Sequence, residues 1–469
     1  MRIHSLSLGN FRGFDQIELT FENDVTVIAG VNGVGKSGIL HALNVVFSRA
    51  LPQIASSTAK CRSFTNEDIQ YEKKSLTISA VFSARFPSLN ATIHRERMDE
   101  NRQKALLEEL EKIQSEIKKF RSDKEKVAEL RIEERNVKKM LREGGDIWQL
   151  IVPGKIKDAD TPSTRPPGRI RRVAESEERH FQPLVISFST QRQLPGTQKT
   201  LPRERAFSVN KAYHSALEDR PVVLREFMHW YKVVESGASE AHRSASKLLG
   251  QLKKVVHSFI PEFSNLRLEE SPKLRFVVDK SGSTLEINQL SDGERGLLAI
   301  IFDITRRLSI ANPNLEDPIS EGSAIIMIDE IDLHLHPKWQ RQVLGKLQST
   351  FKNCQFIVTT HSPLVLGEVE ARCVRFLNFD PERRVKSSIP TEAFGLDANR
   401  ILSEQMGVLV RNSKISERLN ELFEIVHEED FSNAKRIIQE LEITLGQNDP
   451  ELTRANALIK FLEGENESN

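Results

Sequence analysis

The sequence lacks the features that mark secreted or membrane proteins. Its three cysteines, Cys61, Cys354 and Cys373, form no Cys-x-x-Cys pair, which argues against a disulfide framework or a cysteine zinc site and fits a reducing cytoplasm. No apolar run is long enough to cross a bilayer. Residues 1–8 alternate like a strand and lack the continuous apolar core of a signal peptide. We therefore expect a soluble cytoplasmic protein with no membrane partner.

An excess of one charge is also absent. The 67 Lys and Arg residues nearly balance the 66 Asp and Glu residues, and the formal net charge is +1. A global basic field for nucleic acid is therefore excluded, and contact with DNA or RNA would need a local patch. The 469 residues are enough for two or three ordinary domains, and they contain no internal repeat.

A glycine-rich segment carries a specific chemical signal. Residues 30–37, Gly-Val-Asn-Gly-Val-Gly-Lys-Ser, match the phosphate-loop pattern G-x-x-x-x-G-K-[ST]. An apolar β-branched run leads into the loop and an amphipathic helix pattern follows, so a chance match in a glycine-bearing turn is a weak alternative. Glycines let backbone N–H groups approach a triphosphate, a lysine neutralises its charge, and a serine hydroxyl suits Mg²⁺. The residues expected to contact the nucleotide are Asn32, Gly33, Gly35, Lys36, Ser37 and Gly38.

A second apolar segment ends in two adjacent carboxylates. Residues 325–330, Ile-Ile-Met-Ile-Asp-Glu, predict a buried strand, and buried acids at a strand end need a reason. We predict that Asp329 holds Mg²⁺ through water and that Glu330 polarises an attacking water as general base. Taken alone, the segment would also fit a strand that simply exits to solvent. His334 and His336 follow it, and a metal site there is a minor alternative because no further ligand cluster is evident.

A third feature is a turn that opens an apolar helix, Leu-Ser-Asp-Gly-Glu at residues 290–294, called the signature turn below. The hydroxyl of Ser291, a backbone N–H and the positive helix end predict a binding site for an anion such as a phosphate. Further along, the strand pattern of residues 356–360 ends at His361. A lone histidine at a strand end is usually structural, so its interpretation depends on the other motifs.

The ordered set of phosphate loop, long insertion, signature turn, acidic strand and strand-end histidine resembles the SMC-like branch of ABC-type ATPases, over roughly residues 1–97 and 180–380. The resemblance implies ATP and Mg²⁺ as cofactors and hydrolysis of ATP to ADP and phosphate. It also implies a homodimer, or a higher oligomer, in which each chain completes the nucleotide site of the other. The residues implied to act across the dimer are Ser291, Gly293, Glu294 and Asp332.

The same resemblance implies further roles in the site. Lys36 and Glu330 would act in catalysis with His361, which would sense the γ-phosphate. Arg12, in the segment Asn-Phe-Arg-Gly-Phe, would contact the nucleotide, the alternative being an ordinary surface residue. A glutamine near Mg²⁺ is expected after a strand of the first lobe. We assign it to Gln191, with Gln182 and Gln193 as neighbouring alternatives.

The pattern along the chain predicts an α/β fold: an ABC-type, SMC-like P-loop ATPase head of two lobes with a helical hairpin insertion and a C-terminal helical region. The predicted divisions are the head at 1–97 and 181–395, the hairpin at 98–150, a flexible linker at 151–180 and the helical region at 396–469. The hairpin is equally a solvated insertion or a partner-binding arm. Arginines 169, 171 and 172 of the linker are interpreted as part of a solvated loop rather than a nucleic-acid contact. Asp397 and Ser416 are predicted helix N-caps, the second for one helix reaching residues 445–446.

The C-terminal tail narrows the resemblance. Residues 394–402, 406–407 and 445–452 resemble the helical end of ATPases from Septu-type anti-phage systems, some of them retron-associated. This implies an ATPase that senses for, or regulates, a separate HNH nuclease, with hydrolysis slow or repressed until triggered. Nucleic acid, DNA or RNA, and retron components are further implied partners.

Three alternatives to this defence ATPase differ in how well they fit the sequence. A DNA-repair ATPase of the recombination-mediator kind would use the same head on DNA ends or gaps. A fused metal-dependent nuclease of the overcoming-lysogeny type is rejected, because the chain after His361 has a helical pattern. Its carboxylate cluster, Glu428, Glu429 and Asp430, lies in a helical setting with no strand pattern after it. A transporter subunit is disfavoured by the insertion and by Asp292 and Glu294 in the signature turn, where many transporters have Gly and Gln.

Overall fold

The computed structural model describes residues 1–55, 57, 60–83, 88–97, 100–120, 124–143, 146–151, 182–192, 209–219, 224–236, 245–271, 274–408 and 411–466. They form two compact units, Met1–Leu396 and Asp397–Asn469. The first unit contains three sheets with helices around them, and the second is helical. The predicted α/β class, with a helical hairpin and a C-terminal helical region, is confirmed.

A five-stranded antiparallel sheet, in the order β2-β1-β4-β5-β6, begins the first unit. Its strands are β1 (Arg2–Phe11), β2 (Phe14–Thr20), β4 (Ser75–Ser83), β5 (Leu89–Glu96) and β6 (Ile147–Ile151). Buried and less buried residues alternate along β4 and β5, as expected for strands with one face on the core. Residues 147–150, predicted as part of the hairpin at 98–150, belong instead to this sheet, because Ile93 and Trp148 are paired in the β5–β6 ladder.

The central sheet has six strands in the order β14-β13-β3-β12-β11-β7, parallel except for β14. Its strands are β3 (Val25–Gly30), β7 (Leu184–Phe188), β11 (Ala324–Ile328), β12 (Gln355–Thr360), β13 (Val374–Phe379) and β14 (Val385–Ser388). Every residue of β3, β11 and β12 is buried, which is typical of parallel strands covered on both faces. The carboxyl ends of these strands carry the phosphate loop and the polar residues of the site.

The segment that precedes the signature turn forms a three-stranded sheet of β8 (Phe263–Glu269), β9 (Arg275–Lys280) and β10 (Ser283–Glu286). Around it lie α4 (Asn210–Tyr213), α5 (Leu224–Glu235), α6 (Ala245–Phe259) and α7 (Asp292–Ala311). Phe227 of α5 stacks on Phe302 of α7 with ring centroids 4.0 Å apart, and Phe276 of β9 lies 5.5 Å from Phe227. This aromatic cluster fixes the helix that follows the signature turn.

Three further helices belong to the first unit: α1 (Lys36–Ile54) after the phosphate loop, α8 (Pro337–Thr350) and the short α9 (Pro363–Leu366). The insertion forms α2 (Glu100–Lys119) and α3 (Lys124–Glu143). Ile113, Leu130 and Val137 are buried between these two helices, and the Gln114 side-chain amide donates to the Glu134 carboxylate at 3.2 Å. The predicted helical hairpin is therefore present and has a small core of its own.

The linker prediction falls outside the described residues, except for Ile151, which ends β6. Among the helices of the described residues, none combines the length and the apolar character needed to span a bilayer.

The second unit begins with α10 (Ala398–Arg400), a π-helical turn (Ile401–Gln405) and α11 (Ser413–His427), followed by α12 (Phe431–Leu445) and α13 (Pro450–Asn466). Asp397 caps α10 as predicted, since its carboxylate accepts from the backbone of Asn399 and Arg400. Buried residues of α11, α12 and α13, among them Leu422, Ile437 and Ile459, form the core of the unit.

The prediction of Ser416 as the N-cap of one long helix is wrong. Helix α11 begins earlier, because the Asn412 side chain accepts from the Lys414 N–H at 3.0 Å. The helix also ends at His427. Glu429 has a φ of +60°, and Asp430 caps a new helix by accepting from the Asn433 N–H at 3.1 Å. A left-handed residue interrupts an α-helix, so two helices replace the predicted one.

Candidate functional site

The phosphate loop joins β3 to α1 through glycines with positive φ. Gly30, Gly33 and Gly35 have φ of +148°, +80° and +104°. A Cβ on Gly30 would lie 2.4 Å from the Leu377 carbonyl oxygen, and one on Gly35 would lie 2.5 Å from the Phe14 ring. Both glycines are therefore required by neighbouring strands as well as by their dihedral angles. Among the described residues, no heavy atom lies within 4 Å of a Cβ placed on Gly33, so the described part of the chain leaves the loop backbone open there to a phosphate.

Lys36 is held over the loop. Its Nζ donates to the carbonyl oxygens of Gly30 at 2.9 Å and Val31 at 3.0 Å, and it lies 3.4 Å from Nδ1 of His361. Burial lowers the pKa of Lys36, and the carboxylates led by Glu330 oppose that shift. Burial and the Lys36 ammonium likewise lower the pKa of His361. The lysine and the histidine, far apart in sequence, therefore meet at one edge of the central sheet.

The other predicted loop residues surround this point. Asn32, Gly33 and Ser37 are exposed, whereas Gly38 is buried in the first turn of α1. A Cβ on Gly38 would lie 3.7 Å from Cδ of Arg12. Arg12 thus runs beside the start of the helix that the loop precedes.

Ser37 and Asp329 lie together at the end of β11. The Ser37 hydroxyl donates to Oδ1 of Asp329 at 3.1 Å, and the Thr359 hydroxyl donates to the same oxygen at 2.6 Å. The Thr359 oxygen also accepts from the Glu330 N–H at 2.7 Å. Thr359 was not predicted as a site residue. It orients both Asp329 and the backbone of Glu330.

The donor set suits Mg²⁺. A serine hydroxyl and one carboxylate are hard oxygen ligands, and Mg²⁺ in nucleotide sites takes its remaining ligands from water and phosphate. Within the described residues, no group of three or more His, Cys, Asp and Glu side chains could hold a metal on its own. His336 instead caps α8, with Nδ1 accepting from the Lys338 N–H at 3.3 Å. The alternative metal site at His334 and His336 therefore gains no support.

Asp332 follows in the turn after Glu330. Its carboxylate accepts from the Thr360 hydroxyl at 2.5 Å, and the Thr360 oxygen accepts from the Ser362 N–H at 3.0 Å. The turns after β11 and β12 are thus tied together, with Asp332 on one side and His361 on the other. The predicted contact of Asp332 across a dimer stays a prediction.

The signature turn forms a capping box at the start of α7. The Ser291 hydroxyl donates to Oε2 of Glu294 at 2.8 Å, and the Glu294 N–H donates back to the Ser291 oxygen at 3.4 Å. Glu294 also accepts from Lys280 at 2.6 Å. Burial raises the pKa of the Glu294 carboxyl, but the bonds from Lys280 and Ser291 outweigh it and lower the pKa overall. Ser291 is exposed at the helix N-terminus, whereas Glu294 is buried, so of the two only Ser291 faces solvent.

Arg12 is fixed by Asp68. Its Nε donates to Oδ1 of Asp68 at 2.9 Å, its guanidinium lies over the Phe11 ring, and its side chain is 43% exposed. Burial raises the pKa of Asp68, but hydrogen bonds from His41, Thr65 and Arg12 hold it well below its usual range. Arg12 is therefore a half-exposed, oriented cation beside α1.

The predicted glutamine and its neighbour differ sharply in burial. Gln191 is exposed, whereas Arg192 is 6% exposed and donates to the carbonyl oxygens of Asp329 and Glu330. Gln182 accepts from the Tyr213 hydroxyl at 3.1 Å, and Gln193 lies outside the described residues. Arg192 was not predicted from the sequence. The sequence signal for it is a cation four residues after the end of the buried strand β7, whose neighbour β11 ends just before Asp329 and Glu330.

Two protein-family models match the chain. The model described as "AAA ATPase domain" matches residues 1–146. The model described as "AAA domain, putative AbiEii toxin, Type IV TA system" matches residues 155–367. Between them they cover the phosphate loop, the signature turn and the strand ends that form the site.

Curated relatives carry similar descriptions. The "Retron Ec83 probable ATPase" of Escherichia coli is 26% identical over 96% of this chain and 84% of that protein. The "Retron Vc95 probable ATPase" of Vibrio cholerae serotype O1 biovar El Tor is 42% identical, over 32% of this chain and 29% of that protein. The "Septu protein PtuA" of Bacillus thuringiensis is 22% identical over 57% of this chain and 69% of that protein.

A solved SMC head bound to the C-terminal winged-helix domain of ScpA aligns with 83% of this chain and 97% of that chain, at 16% identity and a TM-score of 0.43. The family models and the curated relatives show an ATPase, and its motifs resemble those of SMC-like ABC-type P-loop ATPases. The chain is similar over most of its length to a retron ATPase and over a shorter part to Septu PtuA proteins.

Proposed function

We propose that this ATPase works as a sensor and regulator in anti-phage defence, with ATP closing two heads into a dimer that controls a partner HNH nuclease. The observation that carries the ATP chemistry is the meeting of Lys36, Ser37, Asp329 and His361 at one sheet edge. The support for the defence role is the likeness to retron and Septu proteins.

Each residue of the site has an assignable task. Lys36 and the loop N–H groups bind the β- and γ-phosphates, and Arg12 contributes a second cation. Ser37 and Asp329 would hold Mg²⁺, with Gln191 as a further ligand candidate. When bound, Mg²⁺ would supply charge neutralisation across the phosphates.

Hydrolysis needs a base and a sensor at the γ-phosphate. Glu330 accepts the proton of the attacking water, and Thr359 holds the backbone from which its carboxylate projects. His361 lies beside Lys36, and in this proposal it senses the γ-phosphate. The rate is set by how these groups are aligned, so hydrolysis is slow until a trigger completes the alignment.

Dimerisation follows from where the signature turn lies. Ser291 is exposed at the N-terminus of α7, where the positive end of the helix dipole favours binding of an anion. In the closed dimer, Ser291 and the backbone at Gly293 of one chain face the nucleotide of the other, and Asp332 touches across the interface. The buried Glu294, which was predicted to contact the nucleotide, instead holds the Ser291 hydroxyl from within its own chain. ATP favours closure because the γ-phosphate binds better to the closed state than to the open one. The hairpin or the C-terminal unit then transmits closure to the nuclease.

The runner-up is a DNA-repair ATPase. RecF of Arthrobacter is 34% identical to this chain, but over only 13% of it, and Rad50 of Methanosarcina mazei is 48% identical over 9%. These short matches support a shared nucleotide site. They say less about biological role than a match along 96% of the chain.

The experiment traps the dimer. Glu330→Gln lowers ATP turnover while ATP stays bound, so this variant with Mg²⁺ and ATP runs as a dimer in size-exclusion chromatography with light scattering. Adding Ser291→Arg places a cation and bulk at the signature turn and returns the protein to monomers that still bind ATP. Ser258→Arg, which puts the same side chain on an exposed part of α6, is the control and leaves the dimer intact. Wild-type turnover by Glu330→Gln would refute the base, and an intact Ser291→Arg dimer would refute the composite site.

The partner is tested by affinity purification together with the product of the neighbouring gene. Co-elution of an HNH protein, with release or activation that depends on ATP, supports the defence role. Co-elution of a repair factor in its place supports the runner-up.

A further inference from the structure

Arg192 makes two backbone contacts at the centre of the site. It follows β7, and its Nη1 and Nη2 donate to the carbonyl oxygens of Asp329 and Glu330. The side chain is 6% exposed. A buried guanidinium normally pairs with a carboxylate in a forked geometry. Here the two terminal nitrogens of the guanidinium donate instead to two consecutive backbone carbonyl oxygens in the turn after β11.

That turn holds Glu330 in an uncommon conformation. Its φ is +47°, in the left-handed region that side chains other than glycine rarely adopt. The Glu330 N–H donates to Thr359 at 2.7 Å. Its carbonyl accepts from Arg192 and from the Leu333 N–H at 2.9 Å. Since φ sets the direction in which a side chain leaves the backbone, the groups on both sides of Glu330 fix where its carboxylate points.

Arg192 also balances the charge of the site. Burial lowers its pKa to about 10, and the carboxylates of Asp332, Asp329 and Glu330 oppose that shift. The guanidinium is therefore cationic at neutral pH, beside three carboxylates whose mutual repulsion it reduces.

Arg192 also lies near the helix that follows the signature turn. A Cβ placed on Gly296, in the second turn of α7, would lie 3.9 Å from Nε of Arg192. The guanidinium that holds the turn bearing Glu330 is therefore close to the helix that bears Ser291.

We infer that Arg192 is a positioning residue for ATP hydrolysis, which aligns the carboxylate of Glu330 by holding the carbonyls of Asp329 and Glu330. The inference rests on the proposed role of Glu330 as general base. Arg192 does not itself contact the nucleotide in this scheme. Its loss slows the chemical step and leaves ATP binding unchanged.

The first test separates chemistry from binding and folding. Arg192→Met lowers kcat by roughly 10- to 100-fold, as expected when a catalytic group is displaced by about 1 Å, while the Kd of Mg·ATP stays at the wild-type value. Arg192→Lys keeps the charge but cannot donate to both carbonyl oxygens in the same forked geometry. Its kcat therefore lies between those of the wild type and Arg192→Met. The control is Arg341→Met, which removes an exposed arginine of α8 that pairs with Glu368. This variant should keep the wild-type kcat.

The second test asks whether Arg192 acts through Glu330. In a Glu330→Gln background, Arg192→Met lowers the single-turnover rate little further, because two residues that serve one step are not additive. A full additional loss in that background would overturn the inference, as would a folded Arg192→Met protein with wild-type kcat. If Arg192→Met does not fold, Arg192→Lys decides, and wild-type kcat there refutes the inference. Wild-type turnover by Glu330→Gln alone would overturn the proposed base as well, so the two failures are distinguishable.

Discussion

Gly293 has a structural requirement within its own chain, in addition to any contact with a nucleotide. A Cβ placed on it would lie 2.3 Å from the His334 carbonyl oxygen, and His334 has a φ of +61°. The turn that follows Asp329 and Glu330 therefore packs directly against the first turn of α7. A glycine in a nucleotide motif is usually explained by the approach of a phosphate, but here the backbone of the same chain already excludes a side chain.

We predict that Gly293→Ala destabilises the nucleotide-free protein. The added methyl group must displace the His334 carbonyl, and such overpacking costs about 1–3 kcal/mol. Gly296→Ala, in the next turn of α7, is the matched control: its Cβ meets ordinary contact distances, and alanine gains roughly 0.5–1 kcal/mol over glycine within a helix. Thermal unfolding without nucleotide measures both. Equal midpoints for the two variants would contradict the packing explanation.

Single residues in motifs were predictable because their chemistry depends on local spacing. Lys36 and Ser37 follow from the loop pattern, and Asp329 from an apolar strand that ends in acids. Arg192 was not predictable in the same way, since its role depends on carbonyl groups brought near it by a different strand. The placement of the predicted site residues agrees with a nucleotide site, while their individual roles stay predictions.

At the scale of elements, a buried ion cluster joins α1 to the five-stranded sheet. Asp146, just before β6, accepts from Arg49 of α1 and from Arg95 of β5 at 2.9 Å. The Asp146 side chain is fully buried, and those of Arg49 and Arg95 are 10% and 5% exposed. The helix that begins at the phosphate loop is thereby fixed to the residues where the hairpin returns to the sheet.

We predict that Asp146→Asn lowers the unfolding free energy of the first unit by about 3–5 kcal/mol, because it leaves two buried guanidinium groups without their counter-charge. Asp219→Asn is the same substitution in a partly exposed pair with Arg62 at 3.0 Å, where Asp219 is 53% exposed, and it should cost less than about 1 kcal/mol. Calorimetric unfolding of both variants is the measurement. A loss at Asp146 no larger than that at Asp219 would show that the cluster contributes little.

Helices and strands whose apolar residues form a clear run or repeat were predictable from the sequence. Those without such a pattern were not. Strand β11 is a continuous apolar run, β3 and β12 contain shorter apolar runs, and α2 and α3 repeat aliphatic residues at helical steps. Strand β6 is an edge strand whose positions are exposed or half-buried, so its pairing with β5 gave no clear signal. The break between α11 and α12 depends on the positive φ of Glu429. The spacing of apolar residues along the sequence does not indicate that dihedral angle.

At the scale of the whole molecule, the chain contains two units with separate cores. The second unit, Asp397–Asn469, buries aliphatic residues of α11, α12 and α13 against one another. A core of this kind can support cooperative unfolding in a domain of that size, although its stability is limited by the small buried surface. We therefore expect calorimetry of the full chain to resolve a transition for this unit.

Two isoleucines of α12 give a matched test of that expectation. Ile437 is 1% exposed within the core, whereas Ile443 is 89% exposed on the same helix. Ile437→Ala removes buried methyl groups and should cost about 2–5 kcal/mol, which lowers the midpoint of a domain of this size by about 10 °C or more. Ile443→Ala should leave it unchanged. The transition of the first unit and the basal ATPase rate should be unaffected in both variants, because the nucleotide residues all lie before Leu396. If Ile437→Ala lowered every transition together, the two units would unfold as one cooperative body, and the expectation of a separate transition would be wrong.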